Sequence, residues 1–318
     1  MNFNKQQKAN TAINSLGFTS VLTQQNVEFF NVNLDSDNEA FVDYNLIKKK
    51  AITGDRLAKE MLSSIDSFMK NLFNFAHFQH SIKLNTLLSG LGETNHTSLG
   101  FSIRQIRGKA VGNVLKVAIQ GQIEHLMESL KQGNFTPNSF YFGLDNIGAD
   151  RTSDILVGIV KQQLIDFTGI IAQKYNLPTK SFSVPNVYNS TSGLWENVIC
   201  DLPHFNGRSI ILLPKFVISN RKFGEKAFRR FMSFAFEKYV KNDSAYADLI
   251  KNIDKGLTKK EYKEFLKRNG IPEKEEFRKF IKKISGLIND FEISYSDDID
   301  FLSDSELELI VLESISKQ

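Results

Sequence analysis

The stretch Phe142–Val160, FGLDNIGADRTSDILVGIV, decides the predicted fold because it joins one apolar segment to another through a glycine turn. The segment Ser139–Asp145 is rich in aromatic and apolar residues, which predicts a strand. The helix predicted after it carries Asp150, Arg151 and Asp154 in its opening residues. These charges therefore lie at a predicted strand-to-helix junction, where α/β proteins commonly bind ligands.

Two interpretations of this junction remain open from the sequence. In the structural one, Asp150 caps the helix and Asp154 interacts favourably with the helix dipole. In the functional one, the two carboxylates lie four residues apart on one helix face, where like charges repel unless a cation or Arg151 lies between them. Such a perturbed pair of carboxylates is typical of a functional site.

Composition limits the classes of function. The chain has 318 residues and a net charge of +4, which permits nucleic-acid binding without requiring it. The single cysteine, Cys200, excludes an intrachain disulfide and a cysteine-based zinc site. No run approaches the roughly 18 apolar residues of a membrane span, and the start of the chain lacks an apolar signal core. We therefore expect a cytoplasmic protein that does not contact a membrane.

The order of periodic segments predicts a mixed α/β protein. The predicted elements are a hairpin over Val27–Leu34 and Glu39–Ile47, a helix over Leu57–Phe75, a helix over Asp154–Pro178 and a hairpin over Trp195–Ser219 that turns at Asn206-Gly207. Beyond Ser219 the pattern is helical, and Thr258 and Glu261 form a predicted capping box. The sequence thus predicts a mixed central sheet flanked by helices in residues 1–220, followed by a helical C-terminal region, 221–318.

An aspartate and a lysine lie on opposite arms of the second predicted hairpin. Asp201 is on the first arm, and Lys215 ends the second arm in GRSIILLPK. In metal-dependent nucleases of the PD-(D/E)XK type, carboxylates on such a hairpin hold Mg²⁺, which activates water, and the lysine orients the nucleophile. Leu213 stands where this pattern has an acid, two residues before the lysine. The missing carboxylate would have to come from Asp150, Asp154 or Glu196. The competing interpretation of the lysine is a solvated strand end.

Two groups of cations are candidates for contact with a phosphate backbone. The loop FSIRQIRGKAVG carries Arg104, Arg107 and Lys109 ahead of a predicted helix, although it lacks the GxxxxGKS/T pattern of a P-loop. A later helix places Arg229 and Arg230 on the outer face of an aromatic stripe. For both groups the alternative is an ordinary solvated surface.

Four segments, in the order NHTSLGFSIRQIRGKAVG, GLDNIGADRTSD, LPHFNGRSIILLPK and LTKKEYKEF, resemble a poorly characterised bacterial family associated with mobile elements and phage defence. The resemblance spans about residues 87–285 and is most specific at Gly148-x-Asp150-Arg151-x-Ser153-Asp154. It implies a setting in antiviral defence and no settled activity. It also favours a shared site formed by the positions on which it rests, namely Asp150, Arg151, Asp154 and Lys215.

We therefore expect a protein that acts on nucleic acid in bacterial antiviral defence, with Mg²⁺-dependent nuclease activity as the first hypothesis. Asp150, Asp154 and Asp201 would hold the metal. Lys215 would stabilise charge at phosphorus, and Arg151 would contact a phosphate oxygen. The alternative is a non-catalytic subunit that binds nucleic acid or a protein partner from the same operon, with the motif serving as an ion-pair cluster. The missing acid before the lysine favours this alternative, whereas the clustered acids favour the enzyme.

Overall fold

A computed structural model of the chain describes residues 9–92, 96–99, 135–144, 147–251, 255–284, 286–296 and 298–316. The predicted phosphate contacts Arg104, Arg107 and Lys109 lie outside these residues. The other predicted site residues lie within them.

Helices make up most of the described chain. In chain order they are α1 Ala12–Ser15, α2 Tyr44–Ile52, α3 Arg56–His77, α4 Ser81–Ser89, α5 Pro137–Gly143, α6 Ala149–Ile159, α7 Lys161–Tyr175, α8 Arg221–Ala235, α9 Lys259–Arg268, α10 Glu273–Lys283, α11 Leu287–Ser296 and α12 Asp304–Ser316. The predicted helix over Leu57–Phe75 is confirmed as α3, which buries Met61, Ile65 and Phe68 at three- and four-residue steps.

The strands pair two by two, and all except β2 and β3 have only two or three residues. They are β1 Ala40–Val42, β2 Lys180–Asn189, β3 Leu194–Leu202, β4 His204–Phe205, β5 Arg208–Ser209 and β6 Ile218–Asn220. The antiparallel pairs are β1 with β6, β2 with β3, and β4 with β5. The predicted mixed α/β class and helical C-terminal region are confirmed. Within the described residues, the strands expected in a central sheet are distributed over these three ribbons.

The first predicted hairpin, Val27–Leu34 with Glu39–Ile47, is wrong. Of its second arm only β1 is a strand, and its partner is β6, which follows it by more than 170 residues in the chain. The rest of that arm belongs to α2, where Asp43 caps the helix by accepting a hydrogen bond from the Asn45 N–H. The predicted first arm is an irregular segment, and its aromatic residues, such as Phe29, are buried in the core. Their burial, and not membership of a strand, explains why the segment is rich in aromatic residues.

The predicted strand over Ser139–Asp145 is also wrong, because most of it belongs to helix α5. Pro137 occupies the first turn of this helix, where its fixed φ suits helical geometry. Phe142 is buried and stacks on Phe231 of α8 with ring centroids 4.3 Å apart. The charged motif therefore lies at the start of α6, which follows α5, and not at the end of a strand.

The Asn206-Gly207 turn is confirmed and joins β4 to β5. Both residues have positive φ, 50° and 77°, as a two-residue hairpin turn of type I′ requires. The arms are much shorter than predicted, because β3 pairs with β2 instead. The apolar segment after β5 is buried, and the Ile211 N–H donates to the His96 carbonyl at 2.9 Å.

The single helix predicted over Asp154–Pro178 is two helices, α6 and α7, with axes that differ by 71° at Val160. No single helix among the described residues is long and apolar enough to cross a membrane; α6 and α7 pass that test only as this bent pair.

The C-terminal helices follow their sequence signals closely. The capping box is confirmed, since the Glu261 N–H donates to the Thr258 hydroxyl while the Glu261 carboxylate accepts from the Thr258 N–H. The predicted boundary between residues 220 and 221 coincides with the junction of β6 and α8. Apolar residues from both sides of this boundary belong to one hydrophobic core.

Candidate functional site

The structure gives Lys215 a partner that the sequence did not predict. Lys215 begins a 3₁₀ turn, and its Nζ lies 2.5 Å from Oδ1 of Asp304 at the start of α12. The backbone N–H of Lys215 donates to the Glu28 carbonyl. None of the contacts described for this lysine joins it to Asp150 or Asp154, so they do not support the shared site expected from the sequence.

Asp201 belongs to a different surface. It lies exposed on β3, opposite Ser181 of β2. Burial, together with the negative charges of Asp201 and Asp166, raises the pKa of the Cys200 thiol. Among the described residues, no three or more His, Cys, Asp or Glu side chains group in a way that would hold a metal ion, and Asp150, Asp154 and Asp201 are all described.

Asp150 lies in the first turn of α6, whose N-cap is Gly148, so the prediction that Asp150 itself caps this helix is wrong. It is half-buried. Burial raises the pKa of the Asp150 carboxyl, the negative charge of Asp37 raises it further, and the positive charge of Arg151 opposes them. Asp154, one turn further along the helix, is also half-buried.

Arg208 binds the turn before β1. Its guanidinium donates to the Leu34 carbonyl at 3.0 Å and to the Ser98 hydroxyl at 3.1 Å. Burial lowers the pKa of Arg208, while the nearby carboxylates of Asp37 and Asp35 oppose this shift. Asp150 and Arg208 therefore both lie near Asp37, whose negative charge raises the pKa of Asp150 and opposes the lowering of the Arg208 pKa.

The serine of the motif also has a structural partner. Ser153 is buried, and its hydroxyl accepts a hydrogen bond of 2.8 Å from the Val42 N–H of β1. Thr152 donates to the Gly148 carbonyl within the same helix start. The Ser153 hydroxyl therefore attaches α6 to β1, and the Thr152 hydroxyl stabilises the start of α6.

The sequence analysis missed a second group of perturbed polar residues. His96 Nδ1 and Ser209 Oγ lie 2.8 Å apart. Burial and the positive charges of Lys161 and Arg208 lower the pKa of His96. Lys161 is only 6% exposed, and burial lowers its pKa to about 8. Its Nζ donates to the Pro185 carbonyl at 3.0 Å and forms no ion pair with a described residue. The signal available in the sequence was a lysine inside the apolar run DILVGIVKQQLI.

Acidic residues near the C-terminus pair with cations from several distant parts of the chain. The pairs are Lys48–Glu292, Lys49–Asp300, Lys215–Asp304, Arg230–Asp298 and Lys238–Asp290. Arg230, which we expected to contact a phosphate backbone, also lies over the ring of Tyr295. The Arg229 side chain is exposed. Of the two predicted nucleic-acid contacts of α8, Arg230 is therefore already paired with a carboxylate.

A basic surface remains on α9. This helix buries Tyr262 and Leu266, and a neighbouring exposed face carries Lys260, Lys263 and Lys267. Lys263 lies 3.2 Å from Glu273 of α10. Neither Lys260 nor Lys267 forms an ion pair with a described residue. We refer to Lys260, Lys263 and Lys267 as the α9 lysine face.

The fold and these surfaces define a mixed α/β protein whose C-terminal helices combine a basic outer face with acidic residues directed at the rest of the chain. Residues 20–224 match the model of a family described as a domain of unknown function (DUF8370), and the chain belongs to this family. No curated protein and no solved structure matches the chain. Helices α9 to α12 lie beyond the matched residues.

Proposed function

We propose that this protein is a non-catalytic nucleic-acid-binding module and that the α9 lysine face contacts the phosphate backbone. The observation that carries the proposal is the exposure of Lys260 and Lys267 without a carboxylate partner among the described residues. The two residues are seven positions apart, which places them on the same helix face about 10 Å apart along the axis. Such a row of cations gains affinity for a polyanion by releasing its condensed counterions.

The distribution of charge along the chain supports this assignment. Residues 221–283 contain 19 Lys and Arg against 10 Asp and Glu, whereas residues 284–318 contain nine acids and one lysine. The described ion pairs of the acidic segment run to α2, to Lys215, to Arg230 of α8 and to Lys238 just after α8, and not to the α9 lysine face. The net positive charge of α9 is therefore available to a partner from solution.

The described contacts favour binding over hydrolysis. A nuclease built on Asp150 and Lys215 would require the lysine to leave Asp304, with which it forms a close and partly buried pair. No described contact brings Lys215 to Asp150, whose neighbouring charges are Asp37 and Arg151. The Mg²⁺-dependent nuclease remains a hypothesis that rests on the sequence pattern, and so does the setting in antiviral defence, which rests on the family resemblance.

Fluorescence anisotropy with labelled single- and double-stranded oligonucleotides tests the proposal. We expect measurable affinity at about 0.1 M salt and a loss of about tenfold or more in the variant Lys260→Gln/Lys267→Gln. The control is Lys59→Gln, because Lys59 is an exposed lysine of α3 outside the basic region. Unchanged affinity in the double variant, or an equal loss in the control, would overturn the assignment of α9.

A further inference from the structure

A cleft of about 560 Å³ lies between α2, α3, α11 and the segment that leads into α5. Its volume falls within the roughly 300–1,000 Å³ typical of small-molecule sites. Leu62, Met69 and Phe135 form apolar parts of its wall. The cleft is separate from the cluster around Asp150 and from the α9 lysine face, since it shares no lining residue with either.

Glu292 fixes one side of the cleft. Its side chain is fully buried. One carboxylate oxygen accepts from Lys48 Nζ at 2.9 Å, and the other accepts from the Thr136 hydroxyl and from the Asn138 amide. Three donors therefore hold this carboxylate, so it acts as a rigid part of the wall.

Four polar side chains that line the cleft have unused hydrogen-bonding capacity. Tyr44 is 5% exposed and its hydroxyl makes no hydrogen bond to a described residue; it lines the cleft and reaches solvent there, because Gln163 Oε1 is the one fully buried polar side-chain atom of the described residues that lacks a partner. Asp66, Lys70 and Asn289 likewise form no hydrogen bond or close ion pair within the described chain. Asp66 and Lys70 are one helical turn apart on α3 and still do not pair. Asp66 and Lys70 are exposed and Asn289 is half-buried, so a ligand in the cleft would replace water at these groups.

The side chains that line the cleft limit the chemistry of a ligand. Lys48 and Lys70 balance Asp66 and Glu292 in charge, which favours a neutral ligand. An amide, a carboxylate, an ammonium and a phenol together offer both donors and acceptors to the edge of a planar heterocycle, as Asn, acidic and basic side chains do in base recognition. The apolar wall and the aromatic rings of Tyr44 and Phe135 suit the faces of such a ring.

We infer that this cleft binds a single nucleobase, supplied either by a free nucleoside or by an unpaired base of a strand. Binding of an unpaired base within a nucleic-acid strand rests on the proposed function, whereas binding of a free nucleoside does not.

Isothermal titration of the full-length chain with adenosine, guanosine, cytidine and uridine tests the site, with ribose as a probe that lacks the base. We expect at least one nucleoside to bind and ribose not to bind. Tyr44→Phe removes only the unpartnered hydroxyl and should weaken nucleoside binding by about 3- to 10-fold, the equivalent of one hydrogen bond. The matched control is Tyr175→Phe, whose hydroxyl bonds Glu28 outside the cleft. Asn289→Ala is the second cleft variant, and thermal melts verify that each variant is folded.

The outcomes separate this inference from the proposed function. Lys260→Gln/Lys267→Gln should lose affinity for strands while it keeps nucleoside binding, and Tyr44→Phe should keep its affinity for a fully paired duplex. The absence of nucleoside binding, equal binding of ribose, or unchanged binding in both cleft variants would overturn the inference, even if strands bind. Nucleoside binding without strand binding would instead overturn only the proposed function and the strand as a source of the base.

Discussion

Lys215 and Asp304 form an ion pair of 2.5 Å that ties the chain just before β6 to the first residue of α12. The pair belongs to a series in which acids of residues 290–304 neutralise cations of α2, α8 and the turn at Lys215. Buried residues of α12, such as Leu307 and Val311, anchor the same segment in the core. The C-terminal acidic segment is therefore an integral part of the fold.

Replacing the lysine of this pair tests whether its role is structural. Lys215→Gln should lower the free energy of unfolding by about 1 kcal/mol, because the pair is partly buried and Asp304 would lose its counter-charge. Nucleic-acid affinity should stay at the wild-type level. Urea unfolding and fluorescence anisotropy measure the two effects. Loss of nucleic-acid binding or processing at unchanged stability would show instead that Lys215 acts at a site.

The pH dependence of stability tests the environment of Asp150. Its pKa is raised by burial and by Asp37, so the folded state holds the proton more tightly than the unfolded state does. Stability is then lost as pH rises from the unfolded value of about 3.8 through the raised folded pKa.

Asp150→Asn should therefore be more stable than wild type at pH 7 by a few tenths to about 1 kcal/mol, and the difference should shrink as the pH approaches 4. Chemical denaturation at several pH values provides the measurement. A variant that is less stable than wild type at pH 7 and equal at pH 4 would mean that the ionised carboxylate is stabilising where it lies.

Lys161 is predicted to have the opposite pH dependence. Its pKa falls from 10.5 in the unfolded chain to about 8 in the fold, so the unfolded state holds the proton between these values. Stability should rise with pH across this window, by at most about 3 kcal/mol. Lys161→Met keeps the volume of the side chain and removes the charge. It should raise the melting temperature at pH 7 and lose most of this advantage near pH 10. An equally large advantage at both pH values would point to packing as its cause.

The sequence predicted those elements whose signals are local. The stripe of α3, the Thr258 capping box and the Asn206-Gly207 turn each depend on residues within one or two turns of chain, and the structure contains all three. The pairing of β1 was predicted wrongly, because its partner β6 lies more than 170 residues away and no local pattern specifies such a pairing. The strand predicted over Ser139–Asp145 was wrong because the aromatic residues of this segment suit a buried helix as well as a strand.

The candidate site was less predictable than the fold. The motif around Asp150 did mark a charged region, but Asp37, whose charge raises the pKa of Asp150, lies on a distant turn that the sequence does not connect to it. The nucleobase cleft depends on Tyr44 and Glu292, which lie on helices at opposite ends of the chain. Local spacing carries no information about such a juxtaposition.

The salt dependence of nucleic-acid binding tests the central claim most directly. The logarithm of the association constant should fall linearly with the logarithm of salt concentration, and each lost phosphate contact should reduce the slope by about 0.7–0.9. We predict that Lys260→Gln/Lys267→Gln reduces the slope by about 1.4–1.8 relative to wild type, while Lys59→Gln leaves it unchanged. A slope that is the same in wild type and the double variant, or affinity that does not depend on salt, would contradict the assignment of the α9 lysine face as the phosphate-binding surface.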